Sequence, residues 1–154
     1  MTGVQLRAEL DADVPPSALF AWVADLDRYP AWLEMVRSAT REARPEGESQ
    51  PAWDVVLVGR LGPLRRLKRL RMVRADGDPA GRARFLRDEH DGKTHARWEL
   101  RVDVRPRPGG SHLDMTLSYT GSMWGPPLQR LLAAEIEAAK PRLLELARGG
   151  VSAP

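Results

Sequence analysis

The chain has 154 residues, 42% hydrophobic and 29% charged, the size and composition of one globular domain with one core. It contains no cysteine, which excludes disulfides, thiolate metal sites and a cysteine nucleophile, and its three histidines leave little for a histidine-rich metal centre. The formal net charge is only +3, and of the 24 basic residues only Lys68, Lys93 and Lys140 are lysine, so attraction to a polyanion is weak and no DNA partner is expected.

No apolar run approaches the roughly 20 residues that span a bilayer. The opening MTGVQLRAELDADVPP lacks the basic-then-apolar layout of a signal peptide, so the expectation is a cytoplasmic protein.

Residues 4–11 alternate Val4, Leu6, Ala8 and Leu10 with Gln5, Arg7, Glu9 and Asp11, the period of a half-buried strand. The Asp13–Pro16 stretch ends it, because proline cannot continue a ladder. Pro15, Pro16 and Ser17 start a helix with Leu19, Phe20, Val23 and Leu26 at helical spacing. Asp27 is expected to cap a second short helix with Pro30 in its first turn, and Trp32, Leu33 and Met35 add apolar bulk. Together these helices form a bent cap.

Strands follow at 36–44, 52–60, 64–74, 82–90, 95–105 and 112–121. They are separated by turn chemistry at Pro45-Glu46-Gly47, Gly62-Pro63, Asp76-Gly77-Asp78-Pro79, Asp91-Gly92 and Pro108-Gly109-Gly110. Short separators imply hairpins in an antiparallel meander, and Asp91-Gly92 suits a tight type I′ turn. Thr94, Ala96, Trp98, Leu100, Val102 and Val104 share one face opposite His95, Arg97, Glu99, Arg101 and Asp103. Leu113, Met115, Leu117 and Tyr119 likewise oppose His112, Asp114, Thr116 and Ser118, so one face of the sheet is buried and the other wet.

The last element, 126–148, opens on Pro126 and Pro127 and ends at Gly149-Gly150. Leu128, Leu131, Leu132, Ile136, Ala139, Leu143 and Leu146 form its apolar stripe. Pro141 inside it removes a backbone bond and is expected to kink it. Residues 1–150 read as a single domain and 151–154 as a loose tail. An apolar sheet face needs a cover, and the terminal helix is the only long amphipathic element. The expected fold is therefore α+β: a curved seven-stranded antiparallel sheet wrapped around the long C-terminal helix, with two short helices after strand 1 closing an apolar interior.

The segment LFAWVADLDRYPAWLEMV, through the spacing of Trp22, Asp25, Tyr29, Pro30 and Trp32, resembles the N-terminal helical segment of the START-like (Bet v 1-like, or SRPBCC) superfamily, in its polyketide cyclase/dehydrase and lipid-transport branch. SYTGSMWGPPLQRLLAAEIEAAKPRLLEL resembles the last strand and long helix of the same family. The resemblance implies a helix-grip fold and a pocket for hydrophobic or amphipathic small molecules. Its motifs are structural, so fold transfers further than function.

The side chains expected to line the interior are Trp32, Trp53, Met72, Phe85, Trp98, Leu100, Met115, Leu117, Tyr119, Leu132 and Ile136, with the Tyr119 hydroxyl available to a polar ligand group. Arg87, Glu89, Glu135 and Tyr119 are the candidates for chemistry. If Phe85 faces inward, Arg87 and Glu89 share its face as a polar anchor or acid–base pair. If Leu86 faces inward, they form a solvated pair; the strand is charged on both faces, so alternation does not settle the choice, and the solvated pair is the default. Glu135 either projects inward from the helix stripe or snorkels at its edge, the edge being the default. His90, His95 and His112 show no metal-ligand spacing, and no metal or cofactor is expected. The run LRRLKRLRMVR, 64–74, is read as a strand showing its arginines to solvent, with phosphate, RNA or anionic-membrane contact as the other reading.

Three functions follow. The first is a module that binds or transports a hydrophobic small molecule (lipid, polyketide or aromatic metabolite) without turnover, because no catalytic set accompanies the apolar interior. The second is a cyclase or dehydratase working through the four polar candidates. The third is an interaction protein that docks RNA, a ribosome or an anionic membrane through 64–74.

Overall fold

The alternation along residues 4–11 becomes strand β1, Gly3–Ala12, in a computed structural model that describes residues 3–43, 50–61, 63–75, 79–120 and 125–149. The turn at Pro45-Glu46-Gly47, Gly62, Asp76-Gly77-Asp78, the side chains of Pro126, Pro127 and Leu128, Gly150 and the tail 151–154 lie outside the described residues. Helix α1, Pro16–Val23, and a 3₁₀ helix, Leu26–Ala31, follow β1. The meander then runs β2 (Val36–Arg41), β3 (Ala52–Leu61), β4 (Leu64–Arg74), β5 (Arg82–Arg87), β6 (Trp98–Arg107) and β7 (Gly110–Thr120) into helix α2, Gly125–Gly149. The seven strands form one antiparallel sheet in the order β1-β7-β6-β5-β4-β3-β2, so β1 pairs with the last strand of the meander. An open antiparallel sheet gripping a long C-terminal helix is the expected α+β helix-grip fold.

Leu132, Ala139, Leu143 and Ala147 recur at helical spacing on α2 and are buried. Gly59 on β3 lets the helix approach closely, since a Cβ there would lie 3.2 Å from Leu131 Cδ2. The helix continues through Pro141, which is exposed, as is Glu137, whose carbonyl the proline leaves without its helical donor.

The cap is held by three donors that converge on the carbonyls at the end of α1. Trp32 Nε1 donates to Trp22 O (3.1 Å), Tyr29 Oη to Val23 O (2.9 Å) and Arg74 Nη1 to Ala24 O (3.1 Å). They satisfy acceptors that a helix C-terminus leaves open.

Several elements depart from the sequence expectation. Asp25, not Asp27, occupies the N-cap position of the 3₁₀ helix, without a side-chain cap bond, and Pro30 falls near the end of that helix. Asp27 instead accepts the indole N–H of Trp53 (2.8 Å), tying the cap to β3. Arg41 lies over the Trp53 ring at 5.1 Å and pairs with Asp25 at 2.8 Å, closing the same junction. β2 stops at Arg41, β5 at Arg87, and β6 begins only at Trp98.

The tight hairpin expected at Asp91-Gly92 is a longer loop, 88–97. A type I′ turn needs positive φ at both central residues, and only Gly92 (φ 72°) has it. Asp91 instead accepts the Lys93 N–H (3.0 Å) and contacts the His95 ring (2.8 Å). A two-residue turn lies instead at Pro108-Gly109, where Arg107 faces Gly110 and Gly109 has φ 80°, the pattern of a type II turn.

On β5, Ala83 and Phe85 are buried, so Phe85 faces inward and Leu86 outward, reversing the default reading. The outer face is not uniformly wet either. Glu99 is 6% exposed there, covered by Arg101 (3.2 Å) and Arg97 (3.6 Å).

Candidate functional site

Alternation on β6 and β7 directs Trp98, Leu100, Met115 and Leu117 to the inner face, where they form one wall of a cavity of about 110 Å³. A single water needs roughly 10–15 Å³ on the same kind of measure, so the space suits a small organic molecule. Val55, Leu57, Leu70 and Met72 of β3 and β4 form the opposite wall, and Leu6 and Ala8 extend the first along β1. The cap closes it with Leu26, Tyr29 and Trp32, and α2 contributes Ile136.

No side chain lining this cavity is charged. Tyr29 Oη and Trp32 Nε1 are both spent on backbone carbonyls of α1. Burial, reinforced by Asp25 and opposed by Arg74, holds the Tyr29 phenol far above its usual range, so it stays a neutral donor. A smaller void of about 20 Å³ shares Ala8, Trp32, Met115 and Ile136 with the cavity and is bordered by Glu9 and Lys140. Trp32 and Ile136 therefore partition the apolar space from a charged rim.

Of the side chains expected to line the interior, Trp32, Met72, Trp98, Leu100, Met115, Leu117 and Ile136 do so. Trp53, Phe85 and Leu132 are fully buried in solid packing instead. Phe85 meets Trp53 and Tyr29 edge-on, with ring centroids 5.7 and 6.4 Å apart. Tyr119 lies outside the lining, stacked on Trp98 at 5.0 Å. Its hydroxyl is buried without a hydrogen-bond partner, and burial raises its pKa.

Sequence reasoning missed Val55, Leu57 and Leu70, because Val55–Val58 is apolar on both parities and gives no facing. Continuing the parity of Trp53 and Met72 along each strand finds them. It also missed Leu26 and Tyr29, whose placement depends on the bend between α1 and the 3₁₀ helix.

The polar candidates stand beside the cavity rather than in its lining. The Arg87 side chain is 8% exposed, not solvated, and faces Met72 in register. Its guanidinium donates to Glu89 Oε2 (2.8 Å) and Ala96 O (3.2 Å) and contacts His95 Nδ1 (3.4 Å). Glu89 also accepts the Arg71 backbone N–H (3.2 Å). Desolvation pushes the Glu89 carboxyl up, but Arg87 and the Arg71 N–H outweigh it and hold it below its ordinary value. Glu135 is half-buried on α2 and outside the lining. Among the described residues, no hydrogen bond or ion pair joins Glu135 or Tyr119 to Arg87 and Glu89.

The run 64–74 splits by parity. Arg65, Leu67 (59% exposed) and Arg69 face outward, whereas Lys68, Leu70 and Met72 face the interior. Arg71 is spent on Glu42 (2.9 Å) and Asp88 O (3.0 Å). Glu9, His112 and Asp114 bring three possible metal-ligand atoms within 4.8 Å of one another. However, Arg7 holds Asp114 through two bonds (2.6 and 2.9 Å), and Asp11 holds His112 Nδ1 (2.6 Å). Among the described residues, no helix is long and apolar enough to cross a membrane.

The family described as Polyketide cyclase / dehydrase and lipid transport matches residues 3–147. Solved structures share the fold. The protein TTHA0849 from Thermus thermophilus is 24% identical, with a TM-score of 0.73, over 96% of this chain and 99% of that one. The Zhui aromatase/cyclase from Streptomyces sp. R1128 is 11% identical, with a TM-score of 0.73, over 97% and 96%. A START superfamily protein from Mycobacterium smegmatis is 18% identical, with a TM-score of 0.63, over 94% and 97%. No curated protein matches the sequence.

Proposed function

Because the chain belongs to the polyketide cyclase / dehydrase and lipid transport family, we propose that it binds a hydrophobic or amphipathic small molecule in the cavity between sheet, cap and α2, without turnover. One observation carries this reading: the lining has no charged group, and its Tyr29 and Trp32 donors are already committed to α1. Acid–base catalysis needs a titratable group free to exchange a proton with the reacting atom, and the titratable group of this lining, the Tyr29 phenol, is held neutral and donates to Val23 O. Transfer of apolar surface from water supplies the affinity, at about 25 cal/mol per Å². A lipid tail, a polyketide or an aromatic metabolite offers such surface.

Calorimetric titration with 1-octanol tests the proposal. Wild-type protein is expected to bind, whereas Met115→Trp, which fills the cavity, should lose binding while melting cooperatively. Failure of the wild type to bind, or unchanged binding by the variant, would overturn the reading.

A second reading, a cyclase or dehydratase, draws on the buried, unpartnered Tyr119 hydroxyl beside Trp98. It requires turnover of a poly-β-keto thioester that Tyr119→Phe abolishes. The carrier reading expects no turnover by either protein.

A further inference from the structure

We infer that the molecule held in the cavity carries an anionic group, a carboxylate or a phosphate, received at the cavity rim by the ammonium of Lys68. The inference rests on the cavity being the binding site.

Leu70 and Met72 line the cavity from β4, and strand parity places Lys68 on the same face. Its cross-strand partner is Leu57, another lining residue. Lys68 is half-buried and, among the described residues, makes no hydrogen bond or ion pair.

The charges that act on it are Arg87 and Glu89. Glu89 is already committed to Arg87 (2.8 Å) and to the Arg71 N–H (3.2 Å), so Lys68 adds an uncompensated cation to a neutral pair. Desolvation first and Arg87 second lower the Lys68 pKa, with Glu89 opposing. A half-desolvated ammonium without its own counterion is what a ligand anion relieves through a charge-assisted hydrogen bond.

Other cations near apolar space have partners. Lys140, at the smaller void, pairs with Glu137 at 2.6 Å, and Arg74 is bound to Ala24 O. Strand pairing leaves Lys68 without a β5 partner on one side. β5 pairs with β4 only from Met72 to Arg74, so loop 88–97 rather than a strand follows β5 on that flank.

The test is calorimetric titration of octanoate, octyl phosphate and 1-octanol, at low ionic strength, into wild-type protein, Lys68→Met and Lys68→Arg. Wild type is expected to bind at least one anion about tenfold more tightly than octanol, the scale of one charge-assisted contact. Lys68→Met should keep the octanol affinity and lose the preference, and Lys68→Arg should restore most of it. The tighter anion separates carboxylate from phosphate recognition. Equal affinities for all three compounds in wild type, or a preference that survives in Lys68→Met, overturn the anchor and leave the cavity standing. Absence of octanol binding overturns the cavity reading, and the anchor with it.

Discussion

The inner face of the sheet has two ends that solve the same problem differently. Between β1, β7 and β6 the ladders run unbroken, from Gly3 opposite Thr120 to Ala12 opposite Ser111, and from Trp98 opposite Tyr119 to Arg107 opposite Gly110. Backbone groups there satisfy one another, and the inward side chains at the cavity are apolar. Between β4 and β5 only three residue pairs form before β5 ends. Beyond them the Glu89 carboxylate accepts the Arg71 N–H, and the Arg87 guanidinium reaches Ala96 O. Charged side chains replace the missing ladder, because a buried backbone group needs a partner from somewhere. An acid and a base beside an apolar cavity are thus explained by architecture before any catalysis is invoked.

Breaking the apolar packing under the sheet should cost most. Phe85→Ala is expected to destabilise the fold by about 3–5 kcal/mol, measured by urea unfolding, because it opens a hole between Trp53 and Tyr29. A loss below about 1 kcal/mol would show that this packing is loose.

Breaking the polar end should cost slightly less. Arg87→Ala strands Glu89 and Ala96 O, with an expected loss of about 3 kcal/mol. In the double variant with Glu89→Gln, part of that loss should return, since no uncompensated carboxylate remains. Strict additivity in the double-mutant cycle would refute a shared structural role.

The smallest effect is a pH dependence. The folded-state pKa of Glu89 lies below its ordinary value of 4.5, so its contribution is complete above that value and fades as pH falls through the lower, folded one. Wild type should lose stability over that acid range, and Glu89→Gln should lose less; parallel curves for the two proteins would count against the pairing.

The same contrast explains what was legible in the sequence. The clean alternation of Trp98–Val104 and Leu113–Tyr119 fixes which residues face the cavity from β6 and β7. The Leu132–Leu143 stripe identifies the helix that the sheet grips. The Trp22, Asp25, Tyr29, Pro30 and Trp32 spacing reflects the closure of the cap: Tyr29 and Trp32 donate to α1, and Asp25 holds Arg41. β5 was illegible because both of its parities carry charge, and only contacts distant in sequence choose between them. Asp91-Gly92 misled because the favoured turn depends on Asp91 taking positive φ, whereas its carboxylate bonds locally to Lys93 and His95. The lining from β3 was hidden by a run apolar on both sides.

The cap has a thermodynamic role beyond shape. Leu26, Tyr29 and Trp32 are at once the wall of the cavity and the core of the short helical segment that closes it. Under the proposed binding role, filling the space and keeping the cap shut are therefore linked. An occupant at a hundred times its dissociation constant adds about 2.7 kcal/mol to whatever holds the cap closed. Under the proposed binding role, any opening of the cap would become rarer as the ligand concentration rises.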